Sequence, residues 1–387
     1  MATGNIKDKV SIVGMGCTKF GENWDMSADD MIVEAAYEAM EDAGIDPKDI
    51  EAAWVSVTTS GVSGAALANP LKLDGIPITR VENYCASGQD AIRNAAFAIA
   101  CGMYDIVLVL GFEKLKDSGL RGLPLTSFAE PVVGLGMTAP GSFSLPWVYF
   151  FEEHGVTKET LAKIAVKNHY NGSLNDKAHF QKTISLEQAI KAPIIAWPLG
   201  LFDCCPTTDG ASAAILVSRE IAKTFRDDYI NLKATSLIID SMPPGYRPKH
   251  EFSSWPATDR AAKEAYRQIG ISDPVKELDL IELHDCFSIT ELVTYCDLGL
   301  CSREAVKDCI DSGFFELSGD MPVNVSGGLK SFGHPVGATG IRMVYELYKQ
   351  IQGKVDKKRQ VKDVSLGLAH NLGGYPQVAS VLIVGSP

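Results

Sequence analysis

Four short segments of the 387-residue chain set a reactive side chain among glycines or other turn residues. They are Asn83-Tyr-Cys-Ala-Ser-Gly88, His284-Asp-Cys-Phe287, Asn324-Val-Ser-Gly-Gly328 running into Gly333-His-Pro-Val-Gly-Ala-Thr-Gly340, and His370-Asn-Leu-Gly-Gly374. Cys85 lies between a strand-like and a helix-like stretch, so a helix N-terminus with its partial positive charge is expected to favour its thiolate. A lone cysteine in such a turn is more often a small core residue, and its neighbours decide the matter. His284 and Cys286 follow the apolar run Leu278 to Leu283, and α/β sheets place ligands just past the C-terminal ends of strands. With extended geometry continuing, residues 284 and 286 point the same way. His334 stands in a glycine-rich loop, where backbone can approach a ligand closely and an imidazole can act as base or donor. Cys85 with one or two histidines is a nucleophile with its activator, and Cys286 adds a second acid/base group.

The elements that must position these residues alternate along the chain. Lys9 to Gly14 reads as a buried strand, and Ser27-Ala-Asp-Asp30 caps an alanine-rich helix ending at Gly44. Ala53 to Val57 is a short strand, Cys85 to Cys101 a helix closed by Gly102, and Asp105 to Gly111 a continuous apolar strand suited to a sheet covered on both faces. This is the α/β pattern. The second half repeats it: Cys85-Ala-Ser-Gly88, its helix and strand find a counterpart in Gly337-Ala-Thr-Gly340, a helix to Gly353 and a strand from Asp363 to Ala369. Asp209 to Ser218 is likewise echoed by Gln377 to Gly385. A duplicated unit follows, with residues 1–115 and 207–235 as the first half and 236–387 as the second. Residues 116–206, where periodicity weakens, are expected to form an inserted loop or lid region. Equivalent loop ends then meet at a pseudo-twofold, where a site can be assembled from both halves.

Composition narrows the setting. Hydrophobic residues at 46% and charged residues at 22% exclude collagen-like, coiled-coil and disordered classes. Lys and Arg total 36 against 48 Asp and Glu, a net charge of −12, which argues against a general nucleic-acid or anionic-membrane surface. The first nine residues carry charges and no apolar signal core, no apolar run is long enough to span a bilayer, and Ser386-Pro387 is not a peroxisomal ending. Nine cysteines without an export signal suit a reducing compartment, so a cytoplasmic location is expected. Cys204-Cys205 and the set Cys296, Cys301 and Cys309 lack zinc spacing, and no metal site is expected.

On these motifs the sequence resembles the thiolase superfamily and, within it, the sterol-carrier-type (nonspecific lipid-transfer protein) thiolases. Cys-Ala-Ser-Gly at Cys85, Asn-x-x-Gly-Gly at Asn324 and Gly-His-Pro-x-Gly-Ala-Thr-Gly around His334 are similar to the superfamily's signatures. His284-Asp-Cys-Phe287 stands in place of Asn-Glu-Ala-Phe, and His370-Asn-Leu-Gly-Gly374 in place of the second cysteine loop; both departures, with Asp203-Cys-Cys-Pro-Thr-Thr-Asp-Gly-Ala211, mark the sterol-carrier type. The resemblance implies a thiolase fold of duplicated βαβαβαββ halves in five αβαβα layers. It implies Cys85 as acyl-accepting nucleophile, activated by His334, with His284 polarising the substrate oxygen and Cys286 as acid/base. Backbone N–H groups at Cys85 and near Gly373 would hold an oxyanion, with Asn324 and His370 as loop support. Coenzyme A is implied as cosubstrate, acyl-CoA as substrate, and no cofactor as permanently bound. A homodimer or higher oligomer is implied, together with a small zinc-ribbon/OB-fold partner protein. Lys114, Lys116 and Arg121 are candidates for coenzyme A phosphates. Phe128, Phe143, Trp147 and Tyr149 are candidates for an aromatic or branched acyl pocket, with 2-benzoylsuccinyl-CoA as one such substrate. Two other readings stay open: a ketoacyl-synthase-like enzyme using Cys85, His284 and His334, for which Lys330-Ser-Phe-Gly-His334 speaks, and a non-catalytic acyl-CoA or lipid-binding scaffold. Pro335 and Cys286 favour the thiolase over the synthase.

Overall fold

The computed structural model describes residues 5–119, 138–242 and 252–387. Its first strands are β1 (Val10–Cys17), β2 (Ala52–Ser56), β3 (Ile78–Val81) and β4 (Ile106–Glu113). A small hairpin, β5 (Ile194–Ala196) and β6 (Leu199–Gly200), precedes β7 (Gly210–Ser218) and β8 (Ile230–Ile239). The remainder are β9 (Leu280–Glu282), β10 (Leu366–Gly373) and β11 (Val378–Gly385). The longer helices are α1 (Ala28–Ala43), α2 (Ser87–Ala100), α3 (Lys158–Ser173), α4 (Pro256–Ile269), α5 (Ser288–Asp297) and α6 (Val336–Ile351). Local chemistry sets several of their ends. Ser27 and Asp30 form the reciprocal capping box that opens α1, and Gly44 closes it in the left-handed conformation.

Nine strands form one sheet in the order β3-β2-β4-β7-β1-β8-β11-β10-β9. The order reads outward from a short junction, Ser11 opposite Asn231 and Ile12 opposite Ile230. On one side run β1, β7, β4, β2 and β3; on the other run β8, β11, β10 and β9, and Val323 adds a parallel bridge to Ile281 at the far edge. The duplication expected from sequence is thus a duplication of strand order. The expected boundary at residue 235 falls inside β8. Asn231, Lys233, Thr235 and Ser236 interrupt its apolar pattern, and for that reason the strand was not legible as the counterpart of β1.

Side-chain alternation builds the layers. Leu108 and Leu110 of β4 pack with Ile32, Ala36 and Ala39 of α1, whereas Val107 and Val109 join Ala91 and Ala95 of α2 and Ile341 and Val344 of α6. α4 covers β8 and β11. Helices α2 and α6 lie against each other and against strands of both halves, so the sequence of layers is α1, first half-sheet, α2 with α6, second half-sheet, α4. The two central helices approach closely because both carry glycine at the crossing. A Cβ on Gly88 would stand 3.1 Å from Gly340 Cα, and one on Gly340 would stand 2.6 Å from the Gln89 nitrogen. Gly88 and Gly340 are the matching fourth residues of the two repeated motifs.

The middle segment is more than a lid. α3 packs against α5 and against the short helix Gly328–Phe332, and its Lys167 and Asn168 are buried. No described helix is long and apolar enough to cross a membrane.

A buried ion pair crosses the centre. The Arg342 guanidinium on α6 donates to Glu282 at the end of β9 at 2.7 Å and to Ser326 Oγ at 2.6 Å, with both charged side chains fully buried. We expect Arg342→Leu to lower unfolding free energy by about 3–5 kcal/mol, since it strands a buried carboxylate; urea titration checks this, and a loss below 1 kcal/mol would refute it. His370 on β10 faces α4, its Nε2 3.0 Å from Thr258 Oγ1, and burial alone holds its pKa down to about 3. Between pH 6.5 and that value the unfolded chain takes a proton that the folded chain refuses, so stability falls as pH drops. Relative to His370→Gln, the wild type should lose about 2 kcal/mol of stability between pH 7 and pH 5, measured by denaturant titration at both.

Candidate active site

Cys85 belongs to the first half and His334 to the second. The crossing at Gly88 and Gly340 brings the starts of α2 and α6 together, and His334 Nε2 lies 3.2 Å from Cys85 Sγ. The other ring nitrogen, Nδ1, is 2.7 Å from Thr339 Oγ1. Thr339 spends its one hydroxyl hydrogen on the Pro335 carbonyl at 2.8 Å, so it accepts from His334 Nδ1–H. That fixes the tautomer with a bare Nε2 aimed at the thiol. Thr339 was legible only as part of a motif, with no role attached.

Tyr84 takes a positive φ of 53° just before Cys85, and Gly373 backs the turn. A Cβ on Gly373 would meet Cys85 N at 3.1 Å and Asn83 O at 3.0 Å, so only glycine lets the end of β10 approach this loop. The helix proper begins at Ser87. Burial is the largest influence on the Cys85 thiol and pushes its pKa up to about 12, although the residue keeps some exposure. Burial likewise holds His334 neutral, with its pKa down to about 3.

His284 completes a trio with Cys85 and His334, whose donor atoms all lie within 4.8 Å of one another; among the described residues it is the group placed closely enough to hold a metal ion. The two imidazoles meet edge to face, ring centroids 5.2 Å apart. Asn371 Nδ2 donates to His284 Nδ1 at 3.2 Å, which leaves Nε2–H as the group free to donate. Alternation along β10 explains the division of labour: Asn371 faces the site, while His370 points to the far side. Nothing in the residue order around His370 marks Asn371 as the residue that touches His284. Asn324 adopts φ 55° and accepts the Leu283 N–H on Oδ1 at 2.8 Å, fixing the backbone that leads to His284.

The hydrogen-bonded strand ends at Glu282, before His284 and Cys286. The Asp203-Cys204-Cys205 segment holds this stretch instead, with Cys204 bridging Phe287 and the Cys205 N–H donating to Cys286 O at 2.9 Å. Cys286 is buried, its Sγ 3.7 Å from Thr290 Oγ1, and burial raises its pKa well above an ordinary thiol. Phe143 lies tilted against the adjacent Phe287 ring at 5.1 Å and against Trp255 at 5.8 Å. Trp147 instead stacks on Phe151, and Tyr149 meets Phe150 and His154 edge to face. Phe128 and Arg121 lie outside the described residues. Lys114 is held by Asp209 and Asp117, and Lys116 by Glu22, so neither is free for a phosphate. The structure does gather three cysteines scattered in sequence: Cys296, burial and Cys309 together raise the pKa of the Cys301 thiol.

Residues 10–121 match the N-terminal domain of thiolase and residues 248–386 the thiolase C-terminal domain-like family. The chain is 36% identical over 382 residues to an acetyl-CoA acetyltransferase of Methanothermobacter thermautotrophicus, covering 97% of this chain and 98% of that one. It is 34% identical over 401 residues to sterol carrier protein 2 of Gallus gallus, covering 98% of this chain and 72% of that one. Among solved structures it is similar to an Ltp2–ChsH2(DUF35) aldolase, with TM-score 0.87, 25% identity and 98% of each chain covered. The chain belongs to the thiolase family, with sterol-carrier-type homologues, and is an acyltransferase.

Proposed function

We propose that the protein is a thiolase that cleaves a 3-oxoacyl-CoA with coenzyme A, or runs the reverse Claisen condensation, through an acyl thioester on Cys85. The observation that supports this most is the 3.2 Å approach of a tautomer-fixed His334 Nε2 to Cys85 Sγ. Both groups rest neutral, so the thiol proton passes to His334 as sulfur attacks the 3-keto carbon. The oxyanion is held by the Cys85 N–H and the backbone near Gly373, with His284 Nε2–H donating to the thioester oxygen. The Cα–Cβ bond then breaks, and Cys286, which burial keeps protonated, delivers a proton to the departing enolate. His334 passes the proton it took to the Cys286 thiolate and can then deprotonate the coenzyme A thiol, which takes the acyl group from Cys85; the Cys85 sulfur recovers that proton from His334 as the shortened acyl-CoA leaves. No cofactor is needed beyond coenzyme A.

Two thiols whose pKa burial raises take different roles because Cys85 has an imidazole at hydrogen-bond distance, whereas Cys286 has the Thr290 hydroxyl. Phe143 and Phe287 beside Cys286 support an aromatic or branched acyl chain, such as that of 2-benzoylsuccinyl-CoA. A companion subunit is part of the proposal, supported by the solved neighbour being a two-protein Ltp2–ChsH2(DUF35) assembly. So are self-association into a dimer or larger oligomer and a cytoplasmic location.

Mass spectrometry after exposure to acetyl-CoA and 3-oxoacyl-CoA esters should find an acyl adduct on Cys85 that coenzyme A discharges. Cys85→Ala should form none. Cys286→Ser should still form the adduct but slow carbon–carbon cleavage by about 10² to 10⁴; cleavage at the wild-type rate would remove Cys286 from the mechanism.

A further inference from the structure

Lys330 lies four residues before His334, on the short helix Gly328–Phe332, and only 4% of it is exposed. Its ammonium sits over two aromatic faces, 5.5 Å from the Phe180 ring centre and 6.0 Å from that of Phe202. Among the described residues no carboxylate pairs with it directly. The two acids that face it are engaged elsewhere: Asp203 takes the Lys158 ammonium and the Gly200 N–H. Asp285 takes the N–H groups of Leu329 and Lys330 itself and the Asn168 amide. The remaining titratable neighbours are the Cys204 and Cys205 thiols and the imidazoles of His169 and His179. A buried cation without a direct partner is costly and is characteristically retained where an anion arrives.

The backbone of Lys330 is tied to the segment that carries the reacting groups. Asp285, whose carboxylate accepts the Lys330 N–H at 3.1 Å, stands between His284 and Cys286. Three residues after Phe202, the Cys205 N–H bonds Cys286 O at 2.9 Å.

We propose that Lys330 recognises a second, free carboxylate on the acyl group, so that the preferred substrates are dicarboxylic acyl thioesters. The inference rests on acyl transfer to Cys85. In that step the thioester C–S bond of the acyl-CoA breaks, a new one forms at Cys85 Sγ, and the thiol proton passes through His334 to the leaving coenzyme A. The carboxylate replaces water with one charge-assisted hydrogen bond in a dry environment, while the aromatic faces of Phe180 and Phe202 flank the cation.

The test times formation of the Cys85 adduct with esters paired by carbon count: succinyl- against butyryl-CoA, glutaryl- against valeryl-CoA, adipyl- against hexanoyl-CoA. Both members of a pair carry the same coenzyme A phosphates, so their ratio reports the acyl carboxylate alone. Wild type should favour at least one dicarboxylic ester by tenfold or more. Lys330→Met and Lys330→Gln should each cut that ratio by about 10- to 100-fold. Equal or faster acylation by every neutral ester, or a ratio unchanged in both variants, overturns the proposal. Absence of any adduct from any ester overturns the acyl-transfer reading beneath it, and this proposal with it.

Discussion

Glu282 and Arg342 have no access to water, and their charges are bearable only because each completes the other. Burial works against the carboxylate, and the guanidinium works for it. Ser326 joins them, its N–H and hydroxyl both bonded to Glu282, and the Phe332 ring lies 4.7 Å from the guanidinium carbon. One interaction therefore ties the end of β9, which leads to His284, to the loop from Asn324 and to the helix that carries Thr339. Two guanidinium nitrogens, Nε and Nη2, keep no hydrogen-bond partner, so the junction is worth more for the geometry it imposes than for net stability.

That geometry builds a site in which the proton-bearing groups are uncharged at rest. Desolvation raises both thiols and lowers all three imidazoles, at His284, His334 and His370. A resting thiolate–imidazolium pair would have to be solvated by the protein. In the proposed mechanism charge develops only as bonds change, where oriented donors would meet it without reorganising.

The middle segment has a structural part in this. Lys167 on α3 pairs with Glu291 at 2.7 Å, Tyr295 donates to the same carboxylate, and Asn168 spans from Glu291 to Asp285. Asp285, set between two reactive residues, is thus held from α3 on one side and by the Leu329 and Lys330 N–H groups on the other. Gly328 leaves the necessary room, since a Cβ there would stand 2.3 Å from the Asp285 carboxylate. The segment that interrupts the first half is fastened to the second.

Much of this was legible in residue order. Alternating strand and helix signals, the capping box at Ser27, the Gly88 and Gly340 correspondence and the four reactive segments follow from local stereochemistry and spacing, which act over a few residues. The polar strand β8 hid its place because its interruptions fit neither period. Which face of β10 each residue takes could not be read, and so Asn371 rather than His370 came to touch His284. The tautomer of His334, the neutral state of Cys85, the unpaired ammonium of Lys330 and the gathering of Cys296, Cys301 and Cys309 depend on residues tens to hundreds of positions apart. Sequence alone determined which chemistry the chain can carry; only tertiary structure decided which groups meet and how dry their surroundings are, because desolvation and hydrogen-bond geometry are properties of what packs around an atom rather than of what precedes it in the chain.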